Sequence, residues 1–258
     1  MRIAVLLPLL LVVGCASHPP RINYDQAAFK WRPPPAGKGM SLRVADAALA
    51  GGAPEVALLV AREVLAKHPR NVEALVREGD ALFALQRPEE AAASYRGALA
   101  SEPRNNPARL GLARVQLRAD PVGAEAVLLQ VVSAEPGNAA AWNDLGIARD
   151  LQGRHQAAQQ AYVRAVAAAP EMTAAQVNLG LSLALSGDSG RALDLLRPLA
   201  GGAAANPRVR EDFAVALVTA GQEQAAKQVL RTDLSDVQTT DALAAYGQLR
   251  QPPPPRSN

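Results

Sequence analysis

Three histidines, a single cysteine and two acidic dipeptides are the side chains of this 258-residue chain from which chemistry could be built. Metal binding needs ligands at spacings that bring them together, and His18, His68 and His155 show no such spacing. Glu89-Glu90 has the composition of a paired general acid and base. It follows Pro88, however, and so reads as the first turn of a helix, where negative charge favours the dipole. Glu211-Asp212 reads likewise as a solvated helix face. No serine, cysteine or lysine nucleophile motif and no phosphate-cradling glycine loop appears. The expectation is a protein without catalysis, cofactor, metal or small-molecule substrate.

The elements that hold these residues repeat. Pro69, Pro103, Pro136 and Pro170 fall 34, 33 and 34 residues apart, each at the end of an alanine-rich stretch. Trp142, Leu145, Gly146, Gly153, Ala158, Tyr162, Ala165 and Pro170 occupy positions 4, 7, 8, 15, 20, 24, 27 and 32 of a 34-residue unit. Two helices packed antiparallel need small residues where they cross. Gly79, Gly146 and Gly180 supply them in first helices, and Ala57, Ala91, Ala124, Ala158 and Ala192 in second helices. Tyr95 and Tyr162, four residues after their alanines, lie on the same face and plug the next gap. Gly52, Gly153, Gly187 and Gly221 mark the turns inside the pairs, and proline ends each second helix because it cannot donate the i to i−4 bond.

This spacing resembles the tetratricopeptide repeat over roughly residues 40 to 233. The resemblance implies an all-α, right-handed superhelical solenoid of about six helix pairs, used to hold other proteins. Three units depart from the pattern. The third reads "LRADPVGAE", with Asp120-Pro121 at its turn and Gly111 at position 8. The fifth runs on through "LAGGAAANP", and the sixth has Ala214 where glycine is usual. A further helix over about Thr239 to Arg250 would cap the stack by covering its apolar end. The expected organisation is a leader over 1–14, a lipidated cysteine and tether over 15–39, repeats over 40–233, a cap over 234–250 and a tail over 251–258.

The leader is the second strong signal. Met1-Arg2, an apolar run from Ile3 to Val13 and then Gly14-Cys15 resemble a bacterial lipoprotein signal, with "VVGC" as its lipobox. Eleven apolar residues are too few to span a bilayer, which needs ~20. The resemblance implies a diacylglyceryl group and an N-acyl chain on Cys15. Two or more chains anchor stably where one does not. Residue 16 is Ala, not the Asp that retains such proteins in the inner membrane, so the expected location is the outer membrane, anchored by lipid and facing the periplasm.

Between anchor and repeats, Pro19, Pro20 and Pro33 to Pro35 argue for an extended tether, reaching ~70 Å if stiff or ~25 to 30 Å as a coil. Tyr24, Phe29 and Trp31 within it read either as a cap on the first repeat or as a short docking motif. Half of the chain is hydrophobic (49%) and 3% aromatic, as close alanine-mediated packing requires. The net charge of +3 becomes +2 when Arg2 leaves with the leader. Neither a basic platform nor a block of like charge suggests nucleic acid.

Stacked first helices would line up one concave wall from positions 2, 5 or 6, 9 and 12 or 13. Position 6 reads Arg43, Arg77, Arg109, then Asp144, Asn178, Asp212, a groove with a basic and an acidic half. Arg43 with Asp46, and Arg77 with Asp80, could instead pair at i, i+3 on their own helices, leaving only Arg109 without such a partner. Position 9 turns apolar in later repeats, with Leu112, Ile147, Leu181 and Val215, joined by Leu151 and Leu185 at position 13. This reads as a floor for an amphipathic helix or extended peptide, or as packing between neighbouring first helices. The charges with which some tetratricopeptide domains clamp a C-terminal carboxylate are not assembled, since Asn143 and Ile147 stand where that clamp resembles Lys and Asn.

Lipobox, tether, repeats and a C-terminal "RTDLSDVQTTDALAAYGQLR" together look like the lipoprotein of Tad (Flp-type) pilus assembly systems. That resemblance implies a scaffold acting on the outer-membrane secretin or other pilus components. The pilotin of another secretin system, and an adaptor for envelope enzymes such as peptidoglycan hydrolases, fit the same features.

Overall fold

The computed structural model describes residues 42–203 and 205–250. Cys15, the tether aromatics and the tail 251–258 lie outside the described residues. Within them the chain is helical throughout and falls into two compact units, one ending at Ala134 and the other beginning at Glu135. The first contains α1 (Leu42–Ala50), α2 (Pro54–Lys67), α3 (Val72–Ala84), α4 (Pro88–Ser101), α5 (Asn106–Gln116) and α6 (Pro121–Ala134). The second contains α7 (Ala139–Asp150), α8 (His155–Ala168), α9 (Thr173–Leu185), α10 (Ser189–Gly201), α11 (Pro207–Thr219), α12 (Glu223–Leu230) and α13 (Asp236–Gly247), closed by a 3-10 turn at Gln248–Arg250. In each unit consecutive helices pack as hairpins and first helices pack on the first helices that follow. This is the all-α stack of helix pairs expected from the sequence.

Two kinds of turn set the repeat. Inside the pairs, Gly52, Gly153, Gly187 and Gly221 adopt φ of 72°, 72°, 90° and 78°. Gln86 takes the same turn at φ 60°, in a region where a side chain costs ~1 to 2 kcal/mol. Between the pairs, α2, α4, α6 and α8 stop two residues before Pro69, Pro103, Pro136 and Pro170. The asparagine two residues beyond three of these prolines then caps the next helix. Asn71, Asn105 and Asn138 accept the N–H of Ala74, Ala108 and Ala141 at 2.8, 3.0 and 2.9 Å, each cap contributing ~1 kcal/mol.

The crossings are as tight as the small residues allow. Ala57, Ala91, Ala124, Ala158 and Ala192 are fully buried. A Cβ on Gly79 would sit 2.5 Å from the Tyr95 ring, one on Gly146 2.4 Å from Tyr162, and one on Gly180 2.5 Å from Leu196. Tyr95 serves twice, because a Cβ on Gly111 of α5 would meet the same ring at 2.3 Å. One tyrosine of α4 therefore fills the space against both α3 and α5.

Candidate interaction surface

In the first unit two ion pairs join neighbouring helices at their partly exposed edges. Arg77 of α3 donates through Nε to Asp46 of α1 and lies 3.8 Å from Glu73 on its own helix. It does not make the i, i+3 bond to Asp80, because stacking brings Asp46 of the preceding repeat closer. Burial acts against the Arg77 charge, but the bond to Asp46 and the fields of Asp46, Asp80 and Glu73 hold its pKa above the ordinary value. Asp80 instead accepts the Tyr95 hydroxyl at 2.7 Å. Burial raises its pKa, with the Tyr95 bond, Arg114 and Arg77 working in the opposite direction. A second bridge joins Arg62 of α2 to Glu78 of α3 at 3.0 Å, and Ser94 of α4 donates to the same carboxylate at 3.0 Å. Arg43 is exposed on α1.

Arg109 does not extend this row. Its Nε donates to the carbonyl of Pro103, six residues back, at 2.9 Å. Trp142 Nε1 and Gln176 Nε2 make the same bond to Pro136 and Pro170, also six residues back, at 2.8 and 2.6 Å. Arg109 thus occupies the place of Trp142, and the expected ladder of Arg43, Arg77 and Arg109 is broken at its third rung. Counting from Gly111 produced the wrong register because that glycine makes room for Tyr95 of the preceding pair. Ala113, ten residues after its proline as Gly79, Gly146 and Gly180 are after theirs, is fully buried. Leu112 is half-buried against the core around Ala57, Leu82 and Tyr95.

The second unit turns its polar groups inward. Asn143, Asp144, Asn178, Ser182 and Asp212 are fully buried, so the acidic half of the expected groove is not a surface. Asn178 donates to Asn143 Oδ1 at 2.9 Å, and Asn143 donates to Asp144 Oδ1 at 3.2 Å. The expected apolar floor is buried as well, with Ile147, Leu181 and Val215 at 0, 2 and 1% exposure. These side chains finish the packing of the first helices, and only Leu151 and Leu185 remain half-buried. Asp212 also corrects the reading of Glu211-Asp212 as a solvated pair. Neither of its carboxylate oxygens has a hydrogen-bond partner, and burial raises its pKa to about 8.

A hub that the sequence reading missed sits at Asp150. Its Oδ1 accepts His155 Nδ1 and Ser182 Oγ, each at 2.8 Å, and its Oδ2 accepts the Tyr162 hydroxyl at 2.9 Å. Serine, histidine and aspartate are the residue types of a nucleophilic triad, but the wiring differs. Ser182 donates to the aspartate rather than to the imidazole, and it is buried. The hub ties the end of α7 to α8 and α9. Burial, then the charge and bond of Asp150, push the Tyr162 pKa well above its ordinary value.

Among the described residues no group of three His, Cys, Asp or Glu side chains could hold a metal ion, and no helix is long and apolar enough to cross a membrane. A shallow depression of about 650 Å³ on α7 and α8 is lined by Trp142, Arg149 and Arg164 with glutamines and without a carboxylate.

Two models of the tetratricopeptide repeat match the chain, one over residues 42–107 and 152–207 and the other over 83–143, together more than half of its length. No curated protein matches. Similar solved structures include a thermophilic tetratricopeptide protein of Thermus thermophilus, at 21% identity and TM-score 0.58 over 68% of this chain and 98% of that one. Pseudomonas aeruginosa pilF is similar at 16% identity and TM-score 0.62 over 79% and 95%. PilW, titled a widely conserved type IV pilus biogenesis factor, is similar at 19% identity and TM-score 0.66 over 79% and 94%. At these identities the likeness establishes the fold alone.

Proposed function

We propose, from the premise that the chain belongs to the tetratricopeptide-repeat family, that it is an envelope scaffold for pilus assembly. Such repeats are protein-interaction scaffolds, and this chain is one. In the proposed role Cys15 carries the lipid, the outer membrane holds the anchor, and the repeats in the periplasm engage the secretin or other components of a Tad (Flp-type) pilus machine. The observation that carries the reading is the "VVGC" lipobox, followed in one chain by a proline-containing tether and a repeat stack. Exposed charges on α1 and α3 supply steering for a polarised partner, since rim charges act mainly on association rate.

Membrane fractionation with lipid labelling tests the anchor. Cys15→Ser is expected to lose the label and the outer-membrane location while the repeats keep their helical signal; normal fractionation and labelling of the variant contradict it. Affinity capture from solubilised envelopes tests the partner, with a Tad secretin or pilus component as the expected prey. Likeness in fold to pilF and PilW favours a second reading, a role in a type IV pilus system, which capture of type IV components would select. Recovery of peptidoglycan hydrolases in place of either would replace both readings with the envelope adaptor.

A further inference from the structure

The helix pair α7 and α8 carries side chains that its neighbours do not have at the same places in the repeat. Counted from the crossing glycines Gly79, Gly146 and Gly180, Arg149 stands where α3 and α9 have Leu82 and Leu183, which are 2 and 3% exposed. Counted from the crossing alanines Ala91, Ala158 and Ala192, Gln156 stands where α4 has Glu89, and Gln160 where α10 has Asp194. Packing of the stack asks for an apolar group at the first place and accepts an acid at the other two. The accessible charge of this pair is also of one sign. Between Ala139 and Ala168 the acids Asp144 and Asp150 are buried, whereas Arg149 is half-buried and Arg154 and Arg164 are exposed.

These substitutions meet in the depression of about 650 Å³ on α7 and α8, where Trp142, Arg149, Gln156, Gln160, Val163 and Arg164 lie together. The Trp142 indole N–H is held by the Pro136 carbonyl at 2.8 Å, which fixes the ring. Arg149 Nη1 donates to the Ala157 carbonyl at 3.0 Å, which fixes its guanidinium beside α8. Arg164 is exposed and makes no ion pair or hydrogen bond among the described residues, and Val163 next to it is 51% exposed. Arginine, glutamine and tryptophan all carry N–H donors, and no carboxylate lines the depression to compete for them.

We propose that this depression accepts an acidic peptide segment of a partner protein, with a glutamate or aspartate carboxylate on Arg164 and an apolar neighbour against Trp142 and Val163. A guanidinium takes a carboxylate through two parallel N–H bonds, and the positive field of Arg149 adds to the attraction. Charge complementarity selects the occupant, since a cationic segment would meet arginine and no acid. The hollow is shallow, so a small free acid bound there would stay largely in water, whereas a chain that continues past it buries more surface. Arg77, by contrast, already has Asp46 as its counter-ion within the chain. The inference deepens the scaffold reading by naming one surface and its partner chemistry, and it rests on that reading.

The test uses the full chain and synthetic peptides without any pilus component, so its failure is separable from failure of the pilus reading. The probe is a glycine-serine peptide carrying two glutamates beside a leucine. In a Trp31→Phe chain Trp142 is the sole tryptophan, and its emission should shift as this peptide is added. Affinity should fall as salt rises. The same peptide with glutamines in place of the glutamates, and the Arg164→Glu chain with the original peptide, should each bind at least ~10-fold weaker, the loss of one charge-assisted bond. Arg96→Glu, which removes an equally exposed arginine from α4, should bind as the native chain does. An emission that does not respond, a glutamine or lysine peptide that binds as well, or binding indifferent to residue 164 overturns the proposal.

Discussion

Arg77 in the first unit and Asp150 in the second both join helices of successive repeats, in opposite surroundings. Arg77 meets Asp46 with side chains 23 and 47% exposed, where water screens the pair. Asp150 is 1% exposed and takes three donors in a medium that strengthens every bond and penalises every loss. Buried polar bonds at Asp150 fix how α7, α8 and α9 stack, while the Arg77–Asp46 pair joins α3 to α1 at a partly exposed edge.

Removing the hub should have the largest effect. Asp150→Ala breaks three charge-assisted bonds at ~1.5 kcal/mol or more each, so a loss of about 4 kcal/mol is expected in denaturant unfolding. A loss below about 1 kcal/mol would erase the contrast between the units. Gly146→Leu comes next, at ~3 kcal/mol, because its side chain must enter a crossing already closed by Tyr162. An unchanged melting curve would mean that the crossing is looser than its geometry.

Asp212→Leu should run the other way and stabilise the chain by ~1 to 3 kcal/mol at neutral pH. The folded carboxyl has its pKa raised from 3.8 to about 8, so the contribution of this one group is whole below 3.8 and declines as pH rises through the window. The leucine variant lacks this decline, and its advantage should grow between pH 4 and 8; melting series at several pH values would detect a flat difference if Asp212 were ionised in the fold. The smallest effect belongs to Arg77→Ala, ~0.2 to 1 kcal/mol of stability. Arg77→Glu should slow association with a captured partner and change its salt dependence. Association kinetics insensitive to that reversal would move the interface away from α1 and α3.

Much of the fold was legible because glycine, alanine, tyrosine and proline act locally. Gly146 against Tyr162, and Pro136 two residues past α6, follow from side-chain size and a missing donor. The register of α5 was not, since Gly111 looks like a crossing glycine by type and serves as a berth for Tyr95. Helical periodicity gave Ile147, Leu181 and Asp212 their direction around the helix axis but not the neighbours that cover them. A signal for the buried network was present. Asn178 and Ser182 interrupt α9, a helix without a charged residue, and polar groups in such a helix must find partners inside. Ile147→Asp or Leu181→Asp would consequently unfold the second unit before reporting on any partner.

The double use of Tyr95 bears on how the first unit comes apart. Repeat stacks melt as chains of nearest-neighbour terms, fraying one pair at a time where interfaces are weak. Here a single ring is part of the α3 crossing and of the α5 berth, so peeling away α5 strips one wall from the tyrosine whose hydroxyl holds Asp80. The second and third pairs should open as one cooperative block, and a truncation placed between α4 and α5 would leave an unstable edge where sequence repeats suggest a clean boundary.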